Sequence, residues 1–308
     1  MVIDDIGFDE LPASTLELKF DILQKYLKDV VGIETFDLDI LRTLGLYKND
    51  TYNRAGELLA DENDIKSSYV DMVRFGETES VFLERKRVMN TSLLTQYDEA
   101  MDFFDRWYHT YEEVIDGKRQ ERTYIPRNAF REALANAIIH RDFMINSFVR
   151  IAMYEDRIEI TSPGDLPKGV TKEQYLHGAV SVPRNQIIAE VFNRLGIIEK
   201  FATGIKRIRK EYELFLSAPE FRVDNGFIRV VLPRAQYDNG KEVSNSLNSN
   251  KKAEIFKIIS LGGELKRSEI EHQIDLSRSR LTDLLQELIN EGRIERIGKS
   301  VSTRYRSV

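Results

Sequence analysis

Glu132, Asn136 and His140 stand four residues apart in RNAFREALANAIIH (127–140). On a helix that spacing makes one polar stripe. Phe130, Leu134, Ala137 and Ile138 form an apolar face beside it. A carboxylate and an amide at i and i+4 suit a metal–nucleotide site. The amide oxygen is a hard ligand of the kind Mg²⁺ prefers, and the carboxylate can orient or deprotonate a water. The alternative is structural: Glu132, Asn136, His140 and Arg141 hold the neighbouring sheet and loops by hydrogen bonds.

The second candidate chemistry lies near the C-terminus. KKAEIFKIIS through TRYRSV carries three helical patterns, at about 252–260, 267–273 and 277–290. Ser268 and Ser277 are suited to N-caps. Leu281, Leu284, Leu285 and Leu288 share one face of the third helix, and Gly292 stops it. RIERIGKSVSTRYRS then reads as a strand, a turn at Gly298-Lys299 and a strand. Helix, helix-turn-helix and basic hairpin is the winged-helix order. The third helix would enter a major groove with Ser277, Arg278, Ser279 and Arg280 at the base edges. Arg296, Lys299, Arg304 and Arg306 on the hairpin would meet phosphates. A winged helix used for protein contacts is the alternative.

Composition limits what else the chain can do. It has 308 residues, enough for about two domains. With no cysteine, disulfides, thiolate metal sites and cysteine nucleophiles are excluded. The acidic start MVIDDIGFDELPAS lacks a signal-peptide pattern, and no apolar run approaches the roughly 18 residues of a membrane span. A cytoplasmic protein with no membrane partner is therefore expected. The net charge of −6 argues against a protein coated with nucleic acid over its whole surface.

No G-x-x-x-x-G-K-[ST] occurs, so no P-loop helicase motor is present. His140-Arg141-Asp142 resembles a kinase catalytic loop, but Asn146 is one position early and no D-F-G follows. The histidines at 109, 140, 177 and 272 have no metal-ligand spacing. The basic run KRIRKEYE (206–213) reads as a solvated helix face.

The expected fold class is α+β. A helical segment over 1–66 precedes an α/β sandwich with a mixed sheet over 67–237. A polar Asn- and Ser-rich linker covers 238–251, and the winged helix covers 252–308. SYVDMVRFG, SVFLERKRVM, SFVRIAMYED, RIEITSP and GFIRVVLP read as strands. LLTQYDEAMDFFDRWYHTYEEV reads as one amphipathic helix, and Gly45 and Gly196 as helix ends.

From about Leu46 to Leu232 the chain resembles bacterial proteins of the Schlafen AlbA/divergent-AAA family. Their C-terminal region, labelled RecG-like helicase C-terminal, is similar to the GHKL ATPase fold of gyrase B, Hsp90, MutL and histidine kinases. The segments that carry the resemblance are FREALANAIIHRDF (130–143), DRIEITSPGDLPKGVT (156–171), VPRNQIIAEVFNRLGIIEKFATGIKRI (182–208) and FIRVVLP (227–233). TYNRAGELLADEN (51–63) resembles the family's stretch just after AlbA, so the AlbA part is expected to be largely absent.

The resemblance implies that Glu132 is the catalytic base and Asn136 the Mg²⁺ ligand, through a bound nucleotide. Ser162-Pro163-Gly164 stands where the family has Asn-Pro-Gly, in the adenine-reading box. Thr203-Gly204-Ile205 matches G-T-G-I, glycines that receive phosphate. His140 completes the cofactor set. Two departures stand out: no Asp precedes Gly164 in the D-x-G-x-G register, and Ala202 replaces the first glycine of G-T-G-I.

The expected function is a transcriptional regulator that binds double-stranded DNA as a homodimer or higher homo-oligomer, with a domain for ATP and Mg²⁺. A Mg²⁺-dependent ATPase and a DNA-tethered scaffold are the alternatives.

Overall fold

The computed structural model describes residues 6–115, 118–178, 182–198, 204–237, 252, 254–260, 262–271, 273–274, 278–298 and 303–307. Residues 1–236 cluster as one compact unit and 237–308 as another. The sequence-predicted linker at 238–251 lies outside the described residues.

The N-terminal part contains short helices rather than long ones. These are α1 (Asp21–Tyr26), α2 (Leu38–Thr43) and α3 (Arg54–Leu59), with a hairpin of β1 (Tyr47–Lys48) and β2 (Thr51–Tyr52) between the last two. The mostly helical expectation overlooked that hairpin. Its two turn residues, Asn49 and Asp50, both have positive φ (53° and 58°), as a two-residue hairpin turn with strand-matched twist requires. Gly45, at φ 75°, follows α2 as expected of a helix-ending glycine. Asn53 caps α3 by accepting from the Gly56 N–H at 3.0 Å, and its amide donates to the Gly45 carbonyl at 2.7 Å.

The centre is a six-stranded sheet. In chain order its strands are β3 (Tyr69–Phe75), β4 (Phe82–Met89), β7 (Val149–Met153), β8 (Arg157–Pro163), β9 (Glu220–Asp224) and β10 (Phe227–Pro233). Their spatial order is β4-β3-β7-β8-β10-β9. β3 and β7 run parallel, and the other pairs are antiparallel. The sheet is therefore mixed, as expected. Helices α4 (Leu93–Trp107), α5 (Arg127–Ile139), α6 (Lys172–Leu176), α7 (Gln186–Arg194) and α8 (Gly204–Glu211) complete the unit. Apolar residues of α4, α5 and α7 share one core with Val70, Met72, Ile151, Ile160 and Leu232 of the sheet.

The long amphipathic helix expected after Leu93 stops at Trp107. Tyr111–Ile115 (β5) instead pairs with Lys118–Arg122 (β6). Helical spacing of the aromatics continued past the real end of α4, and the hairpin partner that overrides it lies downstream.

Two buried polar groups lock α5 in place. The Arg141 guanidinium, fully buried, donates to the carbonyls of Ser67, Ser147 (2.7 Å) and Tyr69 (3.4 Å). The Asn185 amide donates to the carbonyls of Ile139 and Arg141, both at 2.9 Å. Asn185 is also the N-cap residue of α7 but makes no capping bond with its side chain. Asp9 supplies that cap from the N-terminal segment, accepting from the Ile187 N–H at 2.8 Å.

In the second unit, residues 254–260 are helical, followed by helices Arg267–Glu271 and Arg278–Asn290. A hairpin of β11 (Ile294–Ile297) and β12 (Arg304–Ser307) ends it. Ile255, Ile259, Ile270, Leu281, Leu284, Leu285, Leu288, Ile294 and Tyr305 make its core. The four leucines expected on one helix face are all buried there.

Burial pushes the Asp9 carboxyl up to about 6, against the opposing pull of the Ile187 and Ile188 N–H groups. The folded chain thus binds a proton more tightly than the unfolded chain does, and stability falls as pH rises from about 4 to about 6. Asp9→Asn keeps a capping oxygen without the charge. Urea unfolding at pH 4.5 and 6.5 should show a smaller loss in the variant than in the wild type. Equal losses would remove Asp9 from this account.

Candidate functional site

The stripe on α5 comes out as its spacing predicts. Glu132 is buried, while Asn136 and His140 are half-buried. The Asn136 amide N–H reaches the Glu132 carboxylate at 3.5 Å. Burial raises the Glu132 pKa, while Arg207, Arg131 and Asn136 oppose the rise. Arg207 of α8 lies 3.7 Å from the Glu132 carboxylate. Burial and the neighbouring Arg184 cation push His140 down to about 4, so its imidazole is neutral at pH 7.

The start of α8 lies directly over this stripe. A Cβ on Gly204 would sit 2.5 Å from Asn136 Nδ2 and 2.8 Å from Glu132 Oε1. Any side chain at this position would have to displace the ends of the Asn136 and Glu132 side chains. Asn136, His140, Ser162, Asp165 and Gly204 line one cavity of about 70 Å³. Ile160, Ile228 and Val230 of the sheet supply apolar wall, with Ala133 and Ala137 of α5. Ligand pockets for drug-sized molecules run to roughly 300–1,000 Å³. The space here is smaller, and the cavity is partly open to solvent.

Ser162 lines the cavity, but its hydroxyl donates to the Ala137 carbonyl at 2.8 Å and so ties β8 to α5. Gly164 does different work. Its φ is 115°, and a Cβ there would come within 2.8 Å of Asp142 Cβ. It lets the β8 exit pass the end of α5. Thr203 lies outside the described residues. Sequence reasoning missed Asp165, which lines the cavity and accepts from the Gly226 N–H at 2.7 Å. The D-x-G-x-G register expects an acid upstream of Gly164, and Asp165 follows it. Arg207, expected on a solvated face, turns toward Glu132 instead.

In the second unit, Arg278, Ser279 and Arg280 open the helix Arg278–Asn290, with side chains outside the described set. Ser277 and Lys299 also lie outside the described residues. Arg296 reaches Thr303 Oγ1 at 3.4 Å, and Arg304 donates to the Glu264 carbonyl at 3.1 Å. Arg306 is ion-paired with Glu295 and, at 3.6 Å, with Glu264. These three hairpin cations therefore have partners within the unit that the sequence did not reveal.

Among the described residues no group of three or more His, Asp or Glu side chains could hold a metal ion. Among them, too, no helix is long and apolar enough to cross a membrane.

Residues 146–232 match the family described as "Putative ATP-dependent DNA helicase recG C-terminal". The matched span runs from the entry to β7 through most of β10. It supports a RecG-C-terminal, ATPase-like domain in the first unit. Ser162, Gly164 and Gly204 fall inside it, whereas Glu132 and Asn136 lie upstream. No curated protein matches the chain. The chain is similar in fold to the crystal structure of the DIP2311 protein from Corynebacterium diphtheriae. The TM-score is 0.65 at 18% identity, over 99% of this chain and 70% of that one.

Gly204→Ala should overpack the contact with Asn136 and Glu132, at a cost of about 1–3 kcal/mol. Thermal unfolding followed by circular dichroism should show a lower Tm. An unchanged Tm would mean that α8 does not rest on α5 in solution.

Proposed function

We propose that the protein is a DNA-binding transcriptional regulator whose GHKL-like domain binds an adenine nucleotide with Mg²⁺. The observation that carries the nucleotide part is the meeting of the Glu132–Asn136 stripe with Gly204 at one cavity. Gly204 leaves a cradle that any Cβ would fill. The Asn136 side chain offers an amide oxygen for Mg²⁺, and backbone N–H groups at the start of α8 suit phosphate. The apolar wall of Ile160, Ile228 and Val230 suits a flat base. With no protein cluster to hold a metal among the described residues, Mg²⁺ would arrive on the nucleotide.

An ATPase is the second reading, favoured by the raised pKa of Glu132. A carboxylate moved toward neutrality is a better general base. In this reading Glu132 holds the proton taken from the attacking water.

The order of helices and hairpin in the second unit supports a winged helix that enters the major groove by the N-terminus of Arg278–Asn290. With Arg306 engaged by two glutamates, phosphate contact falls mainly on Arg296, Lys299 and Arg304. A homodimer would read a two-fold site, and the cytoplasm is the proposed compartment.

Calorimetric titration of Mg·ATP should give heat with the wild type and none with Asn136→Ala. No heat from either protein at two temperatures would remove the nucleotide and leave the scaffold reading. Hydrolysis abolished by Glu132→Gln with binding retained would establish the ATPase reading.

On duplex DNA, Arg280→Ala should change sequence preference. Lys299→Ala should weaken all sequences evenly and flatten the salt dependence by about one phosphate contact. Affinity unchanged in both variants would defeat DNA binding by this unit.

A further inference from the structure

The two faces of the sheet are chemically unlike. Val70, Met72, Val149, Ile151, Ile158 and Ile160 point into the core beneath the helices. Side chains alternate along a strand, so the residues between them form the opposite face. One row of that face can be followed through all six strands by register. Arg87 stands opposite Asp71, Asp71 opposite Arg150, Arg150 opposite Thr161, Thr161 opposite Arg229, and Arg229 opposite Arg222. At ~4.8 Å between strands the row spans about 24 Å.

Aromatic rings line one side of this row. Arg87 lies 5.3 Å from the Tyr69 ring, Arg150 5.7 Å from Phe148, and Arg229 5.8 Å from Phe227. Tyr69 and Phe148 stack on each other at 4.4 Å. All three rings are half-buried, so each keeps part of its surface open.

The next row on the other side adds Arg85, Glu159 and Glu220. Asp224 stands opposite Phe227 in the row of rings, so five arginines against Asp71, Glu159, Glu220 and Asp224 leave an excess of one positive charge, on a chain whose net charge is −6. Arg150, near the middle of the face, is exposed and makes no ion pair among the described residues. Arg85 and Arg87 both hold the buried Asp71 carboxylate, at 2.7 and 2.9 Å, Arg229 meets the half-buried Glu159 at 3.3 Å, and Arg222 forms an exposed, exchangeable pair with Glu220 at 2.6 Å.

We propose that this open face binds single-stranded nucleic acid. Arg87, Arg150, Arg229 and Arg222 meet phosphates, and Tyr69, Phe148 and Phe227 stack against bases. A row of arginines at strand spacing complements a chain of phosphates. Rings bordering that row complement unpaired bases, which a duplex keeps stacked inside. An acidic peptide would answer the arginines and leave the rings without partners. The site is separate from the nucleotide cavity, which lies on the helix side, and from the winged-helix reading of the second unit.

The test is fluorescence anisotropy of the full chain with a labelled 20-nucleotide oligothymidylate, at several salt concentrations. Four arginine–phosphate contacts predict a log–log salt slope of about −3. Arg150→Glu and Arg222→Glu, both exposed side chains, should each weaken binding at least ~10-fold with unchanged circular dichroism. Phe148→Leu should weaken it without changing the slope. Arg280→Ala should leave oligothymidylate binding as it is, which separates this face from the second unit. Three results would overturn the proposal: no binding, binding that survives both charge reversals, or poly-L-glutamate competing as well as unlabelled oligothymidylate does.

Discussion

The buried guanidinium of Arg141 fixes the geometry on which the rest of the first unit depends. It sits at the end of α5 and donates to carbonyls of Ser67, Tyr69 and Ser147, from the segments that lead into β3 and β7. The Phe143 ring lies 4.6 Å from it. Burial pushes its pKa down to about 9, which still leaves it charged at neutral pH. A buried cation without such partners would be strongly destabilising. With them, the end of α5 has one position relative to the sheet. Asn185 extends the lock to α7 through the Ile139 and Arg141 carbonyls.

That lock fixes where the polar stripe of α5 sits. His140 adjoins Arg141, Asn136 lies one turn back and Glu132 two turns back. The stripe faces α8, and contact there depends on Gly204. The result is an arrangement in which Arg207 pairs with Glu132 beside the cavity.

The sheet joins the two halves of the functional picture. Its helix-side residues are apolar where α4 and α5 pack on them. Its other side is bordered by arginines and aromatics that pair, stack and remain partly open to water. The same strands therefore serve as a core layer on one side and as an interaction surface on the other, which the two-residue period of a strand makes possible.

The amino-acid sequence determined the local features. Spacing on FREALANAIIH placed Glu132, Asn136 and His140 on one face, because a helix repeats every 3.6 residues. The leucine pattern at 281–288 marked a buried face, and five of the six strands of the mixed sheet were legible from their patterns, whereas the edge strand β9 was not. Only the tertiary structure decided what those faces meet. Asp165 reached the cavity because the β8 exit turns at Gly164, and Arg207 reached Glu132 because α8 packs on α5. Arg306 found Glu264 and Glu295 across a hairpin. The arginine row is spread over β4, β7, β9 and β10, separated by up to 135 residues between Arg87 and Arg222. A one-dimensional pattern carries local periodicity, whereas these contacts are set by strand register and helix packing between segments far apart in the chain.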